Sequence, residues 1–194
     1  VFLFIKKYIR VRQTMLSVAA FMALAFMPAV QASEQVGLTP EEAHSLVTER
    51  GADVLFIDVR DPVEIMFVGS TDLVDSNIPF LLVDRSAWDA EKNRFRLYRN
   101  PQFVSQVKAA LAEKGLDETA TIITMCRSGS ERGLPSAQFL QDNGFTNATF
   151  VKNGFQGGSA KEGVHKGMRV TNGWQNDGFP WSTKMNSEKI YRLD

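Results

Sequence analysis

The chain of 194 residues contains one cysteine, two histidines and no run of basic side chains. A single thiol excludes an internal disulfide, and with it the cross-linked framework of many small exported proteins. His44 and His165 are far apart and stand beside no cluster of cysteines or carboxylates at ligand spacing, so no metal site is expected. No apolar run reaches the roughly 20 residues that a membrane-spanning helix needs. The glycines of residues 154–158 (GFQGG) do not form a dinucleotide fingerprint, because they follow the last strand and open no helix. They are expected to shape one wall of a pocket, and no cofactor is expected. Internal repeats and low-complexity segments are also missing.

Charge is balanced overall, with 22 basic and 22 acidic residues, but unevenly placed. Lys6, Lys7, Arg10 and Arg12 occupy the first 32 residues, which hold no acid, and the remainder is mildly acidic. An acidic body without a basic patch argues against nucleic acid as a partner. The four cations precede an uncharged run, residues 15–27 (MLSVAAFMALAFM), followed by Pro28 and Val30-Gln31-Ala32. That order is expected of an export signal, residues 1–32, cleaved after Ala32. The mature protein would then be periplasmic or secreted, with no membrane span left. In an oxidising compartment an unpaired thiol is either buried and inert or kept for chemistry.

A hydrophobic content of 44% is enough for one domain with a core. Thr39-Pro40-Glu41-Glu42 has the cap, first-turn proline and acid of a capping box, predicting a helix that ends at Gly51. Residues 54–59 (VLFIDV) are nearly all apolar, as in a strand buried on both faces of a parallel sheet. Residues 63–66 suit a helical turn and residues 77–83 (NIPFLLV) a further strand. Residues 84–100 have no clean periodicity and are expected to form a small helix plus a hairpin. A helix then opens at Asn100-Pro101 and closes at Gly115, residues 121–125 form a strand, 134–143 a helix and 148–151 a last strand. Strands alternating with helices imply a mostly parallel α/β sheet. Residues 159–194, with Trp174 and Phe179-Pro180-Trp181, are expected to pack on the domain.

The one cysteine lies between the strand at 121–125 and the helix after it, in TMCRSGSERGLP. Ligands of open parallel sheets bind at the carboxyl ends of the strands. A helix start there offers unpaired N–H groups that favour anions and a thiolate. Ser128, Gly129 and Ser130 are small enough for the backbone to curl into an anion nest, and Arg127 and Arg132 add positive potential. A lone cysteine is more often buried and structural. Its position between an apolar strand and a Ser/Gly/Arg loop shifts the reading toward a nucleophile, which requires an ionised sulfur open to solvent.

The stretch IITMCRSGSERGLPSAQFLQDNGF, with VLFIDVRDPVE upstream, resembles a rhodanese domain over residues 39–158. The resemblance implies a five-stranded, mostly parallel sheet flanked by helices on both faces. It implies that Cys126 takes a sulfane sulfur as a persulfide, cradled by the amides of Arg127, Ser128, Gly129, Ser130 and Glu131. The side chain of Arg127 would bind the donor, while Asp58 and Arg60 brace the loop or simply end a strand as surface charges. The substrates implied are a small anionic sulfur donor and a thiol or cyanide acceptor.

Two departures stand out. The segment after DVRDPVE is rebuilt as Phe67-Val68-Gly69-Ser70-Thr71. In the loop, Glu131 stands where sulfurtransferases of this kind carry arginine, and Arg132 follows it. The resulting Cys-x5-Arg spacing resembles the cell-cycle phosphatases of the same fold. Three functions therefore stay open: a sulfurtransferase, a phosphatase or arsenate reductase using Cys126 and Arg132, and a non-catalytic sulfur-carrying module that binds an exported partner protein.

Overall fold

The computed structural model describes residues 37–193; the segment read as an export signal lies outside them. The capping box at Thr39 forms as its residues dictate. Glu42 N–H donates to Thr39 Oγ1 at 3.1 Å, and Thr39 N–H donates to Glu42 Oε2 at 2.7 Å, opening α1 (Pro40–Arg50). Gly51 closes this helix with right-handed backbone angles and a short 3-10 turn, so the left-handed glycine stop expected there is not used.

The central sheet is parallel, with strand order β2-β1-β5-β6. Its strands are β1 (Val54–Asp58), β2 (Ser76–Asn77), β5 (Thr121–Met125) and β6 (Ala148–Phe150). The expected five strands are thus four. Leu38 takes the fifth place through a one-residue parallel bridge to Val151, because Thr39 already caps α1 and leaves no chain to extend the pairing. β1 is buried at every residue, and its side chains alternate between two core clusters. Leu55 and Ile57 pack with Phe103, Val107 and Leu111 of α3 (Phe103–Glu113) and Leu140 of α4 (Gly133–Asp142). Val54 and Phe56 pack with Ala43 of α1 and Trp174. Helices therefore cover both faces.

The expected strand at 77–83 splits. The paired register with β1 ends at Asn77, and Ile78 N–H and Phe80 N–H, on either side of Pro79, make the last bonds, to Asp58 O and Val59 O. The chain then leaves the sheet as an antiparallel hairpin, β3 (Leu81–Asp89) and β4 (Arg94–Arg99), with a bulge between Asp84 and Trp88. No helix forms within residues 84–100. The hairpin stands beside α2 (Pro62–Val68), to which Asp61 ties it: one carboxylate oxygen accepts from Val63 N–H at 2.9 Å and the other from Val83 N–H at 3.0 Å.

Beyond β6 the chain turns through Asn153-Gly154 into a small ribbon, β7 (Gly158–Ser159) and β8 (Arg169–Thr171). Trp174 is fully buried and donates from Nε1 to Pro180 O at 2.9 Å. His44 stacks on Phe179 at 5.0 Å between ring centroids because the tail folds back over α1. Farther on, Ser182 and Ser70 exchange backbone hydrogen bonds, and Lys189 O accepts from Asn77 N–H at 2.6 Å beside β2. Among the described residues no helix is long and apolar enough to cross a membrane.

Candidate active site

Cys126 is the first residue after β5, at the carboxyl end of the sheet beside the end of β1. Residues 127–132 curl from it to the start of α4. Gly129 N–H donates to Cys126 Sγ at 3.2 Å, closing the curl on the sulfur. Among residues 127–131 this is the amide that reaches the thiol. Cys126 has 0% of its surface exposed. The expectation of a sulfur open to solvent therefore fails. The thiol contacts the core cluster of α3 and α4 on one side and the polar loop on the other.

The loop is held from behind by the turn that follows β6. Phe155 N–H donates to Cys126 O at 2.7 Å and Gln156 N–H to Arg127 O at 2.8 Å. Gly154 permits this approach: its φ is +56°, and a Cβ there would stand 2.3 Å from Cys126 O. Gly129, at φ +83°, meets the same turn from the other side, with a Cβ placed 2.8 Å from Asn153 N. The glycine-rich stretch 154–158 thus buttresses the cysteine loop and does not wall the cleft, as had been expected.

Asp58 and Arg60 are neither surface charges nor direct braces of the loop. Residues i and i+2 of an extended chain share a face, and here both are fully buried against each other. Arg60 Nη2 and Nε donate to Asp58 Oδ2 at 2.5 and 3.1 Å, and Nε also reaches Oδ1 at 2.9 Å. Arg60 Nη2 donates further to Gly69 O at 2.9 Å, and its guanidinium lies 4.3 Å from the Phe155 ring centroid. The pair fixes the end of β1 to the turn after α2 and reaches the cysteine loop only through Phe155.

Arg127, Ser128, Glu131 and Arg132 face a cleft of about 490 Å³ between the loop, α2 and the hairpin. Arg127 is half-buried, and its Nε donates to Gln156 Oε1 at 3.0 Å. Its guanidinium sits below its ordinary pKa, chiefly through burial and next through the positive charge of Arg169. Ser128 lines the cleft, and its hydroxyl lies 3.2 Å from that of the exposed Ser130. Glu131 is paired with Arg94 of β4 at 2.6 Å. The hydrogen bond from Arg94 outweighs burial and holds Glu131 below the usual carboxylate range.

Arg132 is nearly buried, and its fork is taken by Glu64 of α2, Nη1 to Oε2 at 2.7 Å and Nη2 to Oε1 at 3.1 Å. Burial opposes its charge, but the hydrogen bond and charge of Glu64 prevail and raise its pKa. The neighbouring Cys126 sulfur adds a smaller contribution in the same direction.

Sequence reading missed Glu64, Arg94, Gln156 and Arg169, all of which converge on the loop. Gln156 carried a signal, as a polar residue between glycines just after the last strand. Among the described residues no group of three or more His, Cys, Asp or Glu side chains could hold a metal ion. The geometry is that of a thiol at a strand end, touched by one amide, beside a cleft lined by Arg94, Arg127, Arg132 and Arg169.

Residues 39–161 match the family described as the rhodanese-like domain. Among solved structures the chain is similar to Rv0390 from M. tuberculosis, with 25% identity, 76% of this chain and 96% of that chain covered, and a TM-score of 0.54. It is also similar to a rhodanese-related protein from Thermoplasma volcanium, at 19% identity, covering 76% and 98% of the two chains, with a TM-score of 0.43. No curated protein matches.

Proposed function

The chain belongs to the rhodanese-like domain family, and from that premise we propose that it is a sulfurtransferase moving sulfane sulfur through a persulfide on Cys126. The observation that carries this reading is the 3.2 Å contact from Gly129 N–H to Cys126 Sγ. A donor amide aimed at sulfur favours a nucleophile that carries negative charge.

In the first half-reaction the Cys126 thiolate attacks the outer sulfur of a donor such as thiosulfate. The donor's S–S bond breaks, sulfite leaves with the electron pair, and the outer sulfur stays on Cys126. In the second, a thiolate or cyanide attacks that outer sulfur, giving a new persulfide or thiocyanate and restoring the Cys126 thiolate. Arg127 holds the anionic donor in the cleft while the reaction proceeds. Because Cys126 is covered, this reading requires residues 127–131 to part around the incoming sulfur. We place the reaction outside the cytoplasm, on the strength of the cations and apolar run of residues 1–32.

The phosphatase or arsenate reductase reading needs Arg132 to turn its fork toward an oxyanion, and Nη1 and Nη2 are both already donating to Glu64. A purely partner-binding module would leave the contact between Gly129 and the thiol without a purpose. Intact-protein mass after exposure to thiosulfate tests the proposal. One sulfur atom's mass is expected on the protein and absent from Cys126→Ser. Failure of thiosulfate, polysulfide and organic thiosulfonates alike to add that mass overturns it.

A further inference from the structure

The hairpin of β3 and β4 is a two-stranded sheet of its own, so each strand has an outer edge. The edge of β3 is taken. Val83 N–H turns away from β4 and donates to Asp61 Oδ2 at 3.0 Å. Val83 stands directly across from Leu97, so the main-chain groups of Leu97 turn outward from β4 in the same phase. A second bond fixes that phase. Asn100 N–H points inward to Phe80 O at 3.0 Å, so Arg99 before it points outward. Among the described residues, no group outside the hairpin bonds to the main chain of Leu97 or Arg99.

An open edge pairs with other chains unless something deters them. On β4 the deterrent is charge of one sign, since residues 94–99 (RFRLYR) hold three arginines and no acid. Arg94 is paired with Glu131, Arg96 stands across from Asp84, and the Arg99 guanidinium lies 4.5 Å from the Phe139 ring centroid. Asp84 belongs to β3, so a strand laid along the open edge has Arg96 as its neighbour. A second copy of β4 would bring its three arginines beside these three. An acidic strand meets opposite charge instead, and cross-strand pairs of opposite charge are the favourable ones. Phe95 and Tyr98 stand between the arginines, one on each face of β4, and both are about half exposed.

We propose that the β4 edge docks an extended acidic segment of a partner protein, added antiparallel as a third strand of the hairpin. Residues directly opposite each other share a face. Apolar side chains of the segment therefore lie beside Phe95 and Leu97, and its acids beside Arg96 and Tyr98. The residue opposite Leu97 exchanges both main-chain hydrogen bonds with it. Arg94 joins β4 to Glu131 of the cysteine loop, so the partner is seated next to that loop. Cys126 takes no part in holding it, and the docking stands apart from the sulfur chemistry.

The test uses full-length Cys126→Ser protein and a short capped peptide that alternates valine with glutamate. Calorimetric titration is expected to show binding at least about tenfold tighter than that of the matching valine–lysine peptide. Amide exchange at Leu97 and Arg99 slows by at least about fivefold at saturating peptide. Methylating the valine nitrogens, which face β4, weakens binding by at least about tenfold. Methylating the glutamate nitrogens, which face away, changes it by less than about twofold. Arg96→Gln combined with Arg99→Gln weakens it by about fivefold. No binding at millimolar peptide, equal binding of the lysine peptide, or equal loss from the two methylations overturns the proposal. A dimer in sedimentation that the peptide dissociates would assign the edge to a second copy, and overturns it as well.

Discussion

Replacing Asp58 by asparagine removes a buried negative charge and keeps its volume. Arg60 then keeps a positive charge at a site with no solvent contact, where its remaining partners are one neutral amide oxygen at position 58, Gly69 O and the face of Phe155. Its Nη1 has no hydrogen-bond partner even with the carboxylate present, so it has no alternative acceptor nearby. Breaking a buried ion pair from one side costs about 3–5 kcal/mol. A domain of this size is stable by roughly 5–15 kcal/mol, so about a fifth or more of the total is at stake. With a urea m-value of about 2 kcal/mol per molar, the unfolding midpoint falls by about 2 M.

The matching double change, Asp58→Leu with Arg60→Met, removes both charges together. It is expected to recover more than half of the loss, although Gly69 O is left without its donor. The assay is urea unfolding followed by far-ultraviolet circular dichroism on the parent, the single and the double variants. A midpoint shift below about 0.5 M for Asp58→Asn, or a double variant no better than the single, would refute the reasoning. The two residues would then have to be sought in the chemistry.

Gly154→Ala sets a methyl group against Cys126 O and Gly129 N at a positive φ, and should cost about 2 kcal/mol or more. Persulfide loading should drop further than the folded fraction does, because the cysteine loop itself is displaced; mass spectrometry at a temperature where the variant is folded checks this. Glu131 has its folded pKa lowered by Arg94. Its contribution to stability is therefore present above the unfolded carboxylate range and lost as pH falls through the folded value. Thermal midpoints measured between neutral and acid pH should fall less steeply in Glu131→Gln than in the parent, and parallel curves would contradict the assignment. Thr39→Ala removes the hydroxyl that accepts from Glu42 N–H, keeps the backbone half of the capping box, and should cost about 1 kcal/mol in a denaturation midpoint.

What the sequence disclosed follows from the range of the interactions concerned. The strands around Phe56 and Ile123 were legible because burial on both faces demands an unbroken apolar run. The capping box at Thr39 was legible because its partners are three residues apart. Cys126 stood out through the contrast between its strand and its loop. The hairpin was legible only in part: one was expected within residues 84–100 together with a small helix that does not form, since β3 and β4 lie largely outside the two cores and show no clean alternation of apolar residues. The partner of Arg132 was not legible, because Glu64 is 68 residues away and joins it only when α2 docks. The pairing of Asp58 with Arg60 could have been read, since opposite charges two apart in a strand point the same way. It was hidden by the usual rule that charges at a strand end meet water.

The burial of Trp174 beside Phe56 and Ala43 bears on how this protein can be shortened. A fragment cut at residue 161, where the family match ends, would lose the indole that closes one side of the sheet. Such a piece would carry a greasy scar across α1 and β1, and would clump or melt for reasons unrelated to sulfur. Any truncated preparation meant to isolate the chemistry should therefore retain the tail through Trp181.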